Sequence, residues 1–318
     1  MTRSTLLILA PLTAVMTFGL LSAVGPESNA VATAAASQAS GVSCVDDLGR
    51  TVTLESPAER VAVMSPFAVD VLLDLGIEPV LVPSMVSDQP ESWDGLDVVS
   101  MSHSTGPNLE QVVASRPDLI IAPRMLARFI PVLESTLGIP VVCVDVQHID
   151  HLGERIELIG KLVGQEAGGT DLAAKTEREV ARAIADTRSS APVVFAIFGL
   201  REANYAFLPD SYLGSLIEAC GGQLLTERAE VHPIFEGFTP LSLEVAIEGD
   251  PSVVLVIGHG DSAAIVRSMS ADPAWSSLSA VKAGRVVSLP EDPFVLRPGV
   301  EPLKAISLLR EAMYPDQN

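Results

Sequence analysis

Asn108-Leu109-Glu110 followed by Arg116-Pro117-Asp118-Leu119-Ile120-Ile121, and Ser242-Leu243-Glu244 followed by Gly249-Asp250-Pro251-Ser252-Val253-Val254-Leu255, are two versions of one unit. Each reads as a cap, a short helix and a strand. A strand this apolar is at home only in a parallel sheet covered on both faces, so its recurrence predicts two α/β lobes of similar build. Ligands on such sheets gather outside the carboxyl ends of the strands. Lobes that face each other would line a shared cleft, and each short helix would offer one glutamate, Glu110 or Glu244.

The surrounding sequence extends this pattern. From Arg60 onward strand and helix alternate: Val61 to Met64, a helix from Phe67 to Leu75 closed by Gly76, then strands at Val80 to Val82, Leu119 to Ala122 and Val141 to Val144. Leu152, Ile156, Ile159 and Leu162 recur at helical spacing, Gly168-Gly169 breaks the run, and a second amphipathic stretch covers Asp171 to Thr187. Strands at Val193 to Phe198, Val253 to Ile257 and Arg285 to Leu289 build the second half, with helices at Tyr212 to Cys220 and Val300 to Met313. The expected fold is therefore α/β: two Rossmann-like lobes with central parallel sheets, residues 44–147 and 191–318, joined by long connecting helices over 148–190. A helical connection predicts a stiff hinge and modest closure.

Composition narrows the class. The chain has 318 residues with 20 Lys and Arg against 40 Asp and Glu, so its net charge is −20. This acidity argues against a nucleic-acid partner. Residues 1–30 have the form of an export signal: Arg3, an apolar run from Leu6 to Gly25, and a small-residue cleavage site at Ser28-Asn29-Ala30. Residues 31–43 read as a flexible spacer. The folded part is expected outside the cytoplasm. Cys44, Cys143 and Cys220 lack metal-site spacing and predict no disulfide framework. Gly41-Val42-Ser43 is a poor lipobox, so a lipid anchor on Cys44 is the lesser alternative to free secretion.

Several fragments in order resemble the extracytoplasmic substrate-binding proteins of ABC importers for iron complexes, haem and cobalamin. They are Asp47-Leu48-Gly49-Arg50-Thr51-Val52, Glu59-Arg60-Val61, the 108–121 unit, and Trp275 with Ala280-Val281-Lys282-Ala283-Gly284-Arg285-Val286. The resemblance implies a monomeric binding protein, not an enzyme, with a membrane permease and its cytoplasmic ATPase as partners. It also implies that Glu110 and Glu244 pair with permease arginines. Charges in such positions steer docking more than they add affinity.

Ser211-Tyr212-Leu213-Gly214-Ser215-Leu216-Ile217, Cys220-Gly221-Gly222 and Ile257-Gly258-His259-Gly260 resemble the Gram-positive haem-uptake members of that family. By that likeness haem is the transported ligand, His259 is an axial ligand to its iron, and Met101 or His103 is the second. Imidazole and thioether both suit haem iron. The two propionates call for arginine forks, for which Arg297, Arg124 and Arg201 are the candidates. Phe67, Met85 and Tyr205 are candidates to cover the porphyrin faces. His148 and His151 read as exposed helix-start residues, and His232 carries no assigned role. A ferric siderophore, cobalamin or a divalent metal on the same scaffold is the alternative cargo. Gly258-His259-Gly260-Asp261-Ser262-Ala263 has the outline of a dinucleotide fingerprint, but no acidic residue closes the next strand, so an enzyme is the remote alternative.

Overall fold

The computed structural model describes residues 41–85, 89–102, 104–185, 191–199, 204–226, 229–232, 236–258 and 262–315, all within one compact unit, Ala39–Asn318. The residues read as an export signal, and most of those read as a spacer, lie outside the described residues. The strand Val42–Val45 takes in Val42 and Ser43, which the sequence assigns to the spacer, because it pairs with Thr51–Leu54 and buries Val42 and Cys44 on one face.

Both repeat units form as expected. The first helix is Leu109–Ser115, capped by the Asn108 side chain, which accepts from the backbone N–H groups of Glu110 at 3.0 Å and Gln111 at 3.3 Å. The second is Leu243–Gly249, capped by Ser242, whose hydroxyl accepts from Val245 N–H at 3.3 Å. Such side chains satisfy helix donors that would otherwise have no partner. Both helices end on a left-handed residue, Arg116 at φ 46° and Asp250 at φ 37°. A proline follows each and cannot continue a helix. The strands that follow, Leu119–Ala122 and Val253–Gly258, are buried at every position.

In the first lobe Val61–Val63, Leu119–Ala122 and Val141–Cys143 form a parallel sheet in that order. A parallel bridge from Ala62 to Leu81 extends it towards Val82–Pro83 and its parallel partner Val98–Val99. The second lobe places Val193–Gly199, Val253–Gly258 and Val286–Leu289 side by side and parallel. On the far edge of Val193–Gly199 the strands Asn204–Phe207 and Phe238–Pro240 run as an antiparallel extension. The two parallel sheets bear out the expected fold class; the antiparallel edge was not expected, since its short strands lack the long apolar run that marks a buried one.

The connection between the lobes is Leu152–Leu162 and Glu166–Ile184. Here the expected break at Gly168-Gly169 is corrected. Both glycines lie inside the second helix, and the turn comes earlier, at Gly164 with φ 70°. The glycines instead let the two helices touch: a Cβ on Gly160 would meet the Cα of Gly169 at 2.8 Å. One apolar cluster runs from Val63 and Phe67 through Ile156 and Leu162 to Leu255 and Leu309, so the lobes share a core at the hinge.

The Asp47-to-Val52 region is built around Asp46, whose side chain is fully covered. Arg50 donates to it from Nη2 at 2.7 Å and Nε at 3.0 Å, and also to the Val141 carbonyl at 2.7 Å and Glu134 at 3.2 Å. Burial pushes the Asp46 carboxyl upward, but the hydrogen bonds and charge of Arg50 outweigh it and hold the group below the usual carboxylate range. The result is a clamp that fixes the first hairpin to the strand Val141–Cys143.

Candidate functional site between the lobes

The carboxyl ends of the first-lobe strands point at the second lobe. After Val61–Val63 comes Phe67, which, with Val146 and Leu152, would be met by a Cβ on Gly299 of the second lobe. After Leu119–Ala122 comes Arg124, and after Val141–Cys143 come Asp145 and Gln147. Arg124 Nε lies 3.4 Å from the carboxylate of Glu236, which belongs to the second lobe. Gln147 Nε2 donates to the same Glu236 oxygen at 3.4 Å. Ile149 N–H donates to Ser215 Oγ of the second lobe at 3.0 Å. These contacts define the inter-lobe cleft.

Arg124 is held from the first-lobe side. Its Nη2 donates to the Asp47 carbonyl, and its backbone N–H donates to the carboxylate of Asp145. Asp47 in turn pairs with Arg155 and accepts from Asp145 N–H at 2.8 Å. Burial raises the Asp145 carboxyl above its ordinary range, against the pull of Arg124. The Arg124 Nε is buried and makes no hydrogen bond among the described residues.

The second lobe contributes an aromatic face. Phe198 and Tyr205 are cross-strand partners, as are Phe207 and Phe238. Tyr205 meets His232 edge-on at 5.4 Å between centroids and Phe238 at 6.4 Å, while Phe198 and Phe238 are 5.6 Å apart. Phe198, Tyr205, His232 and Phe238 are all half-buried. Glu236 and this face gave little signal in the sequence; the nearest is Gly237, whose φ of 80° turns the chain into the strand Phe238–Pro240.

The remaining expected site residues distribute unevenly. Met101 and Met85 are brought to one edge of the first lobe, linked through Ser84, whose N–H donates to Val99 O at 2.9 Å and whose Oγ accepts from Met101 N–H at 3.3 Å. Both are half-buried. Phe67 is only 4% exposed and packs in the shared core. Arg297 is committed to Asp292 at 2.7 Å and Glu301 at 3.2 Å, with 13% of its side chain exposed. A cavity of about 370 Å³ is lined by Phe67, Asp70, Lys175, Glu179, Gly299 and Glu301 among others. His103, Arg201 and His259 lie outside the described residues, as does Gly260-Asp261 of the fingerprint-like segment. Among the described residues no three His, Cys, Asp or Glu side chains converge as a metal site. His148 caps the turn Ile149–His151, its Nδ1 accepting from Asp150 N–H at 3.3 Å, and its ring lies tilted at 42° to that of His151.

Glu110 and Glu244 occupy the first turns of the two matching helices, and both are exposed. One turn further on, each helix exposes an aliphatic side chain: Val113 is 50% exposed and Ile247 is 48% exposed. Residues three apart share a helix face, so each glutamate has an apolar neighbour in the same register.

Two α/β lobes around a cleft, tied by connecting helices, define a class of ligand-binding protein. The family profile described as periplasmic binding protein matches residues 61–293, and the chain belongs to that family. A cobalamin-binding protein of Halobacterium salinarum is 30% identical over 215 residues, a match that covers 66% of this chain and 57% of that relative's length. An ABC transporter substrate-binding protein of Listeria monocytogenes shares the fold with a TM-score of 0.71 at 17% identity, covering 81% of this chain and 99% of that one. The S. aureus protein IsdE, solved with haem, does so with a TM-score of 0.69 at 18% identity, covering 80% and 98%. These structural likenesses speak for the fold.

Proposed function

We propose that this chain is the extracytoplasmic binding component of an ABC importer, a non-enzymatic protein that takes a metal tetrapyrrole, haem in the first reading, into the inter-lobe cleft. It would act as a monomer and release its cargo to a permease driven by a cytoplasmic ATPase. The observation that carries the reading is Arg124: a guanidinium held at the carboxyl end of a first-lobe strand by the Asp47 carbonyl, with its Nε facing the second lobe and making no hydrogen bond among the described residues. A propionate suits that fork. The half-buried aromatics around Tyr205 supply a surface for the macrocycle, and Met85 is the first-lobe candidate to cover its other face.

In the same reading His259 binds the iron from the second lobe, and Met101 or His103 binds it from the first. Arg201 and Arg297 are the further propionate candidates, although Arg297 would have to leave two carboxylates to serve. Phe67 contributes by shaping the floor, since its ring is buried. Glu110 and Glu244 are the docking charges that meet permease arginines.

Titrating haemin into the purified protein and following the Soret band tests the cargo. A saturable red shift is expected, and His259→Ala should abolish or displace it. A second reading, cobalamin, is favoured by the relative at 30% identity named as a cobalamin-binding protein. Calorimetric titration with cyanocobalamin alongside haemin separates the two: saturation by the corrinoid with none by haemin would replace the first reading with the second.

A further inference from the structure

We propose that Glu236 is a built-in occupant of the carboxylate seat at Arg124, and that by competing with the cargo it determines which ligands the cleft accepts. The ligand side of this inference rests on the reading above, a tetrapyrrole that carries carboxylates. Glu236 sits in the turn ahead of Phe238–Pro240 and reaches from the second lobe to Arg124 Nε and Gln147 Nε2, both at 3.4 Å.

Three features mark this contact as a placeholder. Charge-assisted hydrogen bonds of this kind normally close to about 2.7–2.9 Å, so both contacts are long. The Glu236 side chain is 60% exposed against 32% for Arg124, so water competes for the carboxylate and the pair is weak. Arg124 Nε is buried yet makes no hydrogen bond among the described residues, while Nη2 of the same guanidinium is fixed on the Asp47 carbonyl and the Arg124 backbone N–H on Asp145. A donor left unused in a covered position is costly. Arg297 is the contrast within the same molecule, with a 2.7 Å contact to Asp292 and little exposure.

A cargo carboxylate can therefore replace Glu236 with no change in the charge of the seat, releasing Glu236 to solvent and completing the bond that Nε lacks. A tetrapyrrole whose side chains are neutral cannot make that exchange. Glu236 thereby lowers the affinity for carboxylate-bearing cargo alone, narrowing its advantage over neutral cargo without touching the metal.

The test uses the mature protein, haemin, and haemin with both propionates methylated. Glu236→Ala should tighten haemin binding about three- to five-fold, the range expected on removing a weak competing pair, and leave the diester unchanged. Arg124→Ala should weaken haemin and cancel that gain in the double variant. Equal changes for both porphyrins, or a gain that survives Arg124→Ala, would overturn the proposal. Should neither porphyrin bind the wild type, the cargo reading has failed, and the contact is judged by itself. Spin labels on the two lobes of the cargo-free protein should then show a broader distance distribution in Glu236→Ala, and an unchanged distribution would refute the bridge.

Discussion

The Cα of Gly169 lies so close to Gly160 that a Cβ on Gly160 would stand 2.8 Å from it and 2.9 Å from the carbonyl of Gln165. Backbone on both sides leaves no flexible group to move aside. Gly160→Ala should therefore force the connecting helices apart and lower stability by about 2–3 kcal/mol, the cost of overpacking a close contact. Chemical denaturation of the variant measures this. A loss below about 0.5 kcal/mol would mean that the helices do not cross as closely as described.

Arg50 and Asp46 predict a second loss. Removing the guanidinium leaves a covered carboxylate with only backbone donors, so Arg50→Ala should cost about 2–3 kcal/mol, somewhat less than a fully buried pair because Arg50 is itself one-third exposed. The pH dependence has a definite sign. Asp46 is held below its ordinary value, so its contribution is present above the unfolded carboxylate value of about 4 and is lost as the pH falls through the lower folded value. Acid unfolding of Arg50→Ala should accordingly begin at higher pH than in the wild type.

Asp145 behaves in the opposite way. Burial raises its carboxyl, so its contribution is full below about pH 4 and is lost as the pH rises through the raised folded value. Asp145→Asn removes that dependence. Its melting temperature relative to wild type should rise as the pH climbs from about 4; a difference that stays flat on that climb would contradict the assignment.

The two helix faces proposed to dock the permease allow a test that leaves cargo binding alone. Glu110→Lys and Glu244→Lys should each slow cargo uptake into proteoliposomes that hold the permease and ATPase, with the effect growing at low ionic strength. Val113→Ser and Ile247→Ser should weaken the same step by about 1 kcal/mol each if the exposed aliphatics are covered on docking. Cargo affinity in solution should not change in any of the four. A fall in that affinity would place these residues in the cleft instead of on the rim.

The repeat units were legible because everything they need is local. Asn108 and Ser242 cap from within two or three residues, Pro117 and Pro251 end the helices, and apolar runs such as Leu119 to Ala122 have nowhere stable to go but the inside of a parallel sheet. Gly168-Gly169 was misread for the converse reason. A glycine pair marks a break when the neighbours are solvent, and a crossing when they are another helix, and the sequence around it is the same in both cases.

The candidate site divides along the same line. Arg124, Met85 and Tyr205 are proposed from positions beside strand ends, whereas the burial of Phe67 beneath Gly299 and the pairing of Arg297 with Asp292 and Glu301 depend on chain brought in from elsewhere. By itself the sequence determined two α/β halves, their helical connection and a matching glutamate on each, because period, caps and prolines act over a few residues. Only the tertiary structure decided that Glu236 meets Arg124 across the cleft, since a side chain's partner is chosen by packing between segments remote in the chain, and no local pattern encodes that choice.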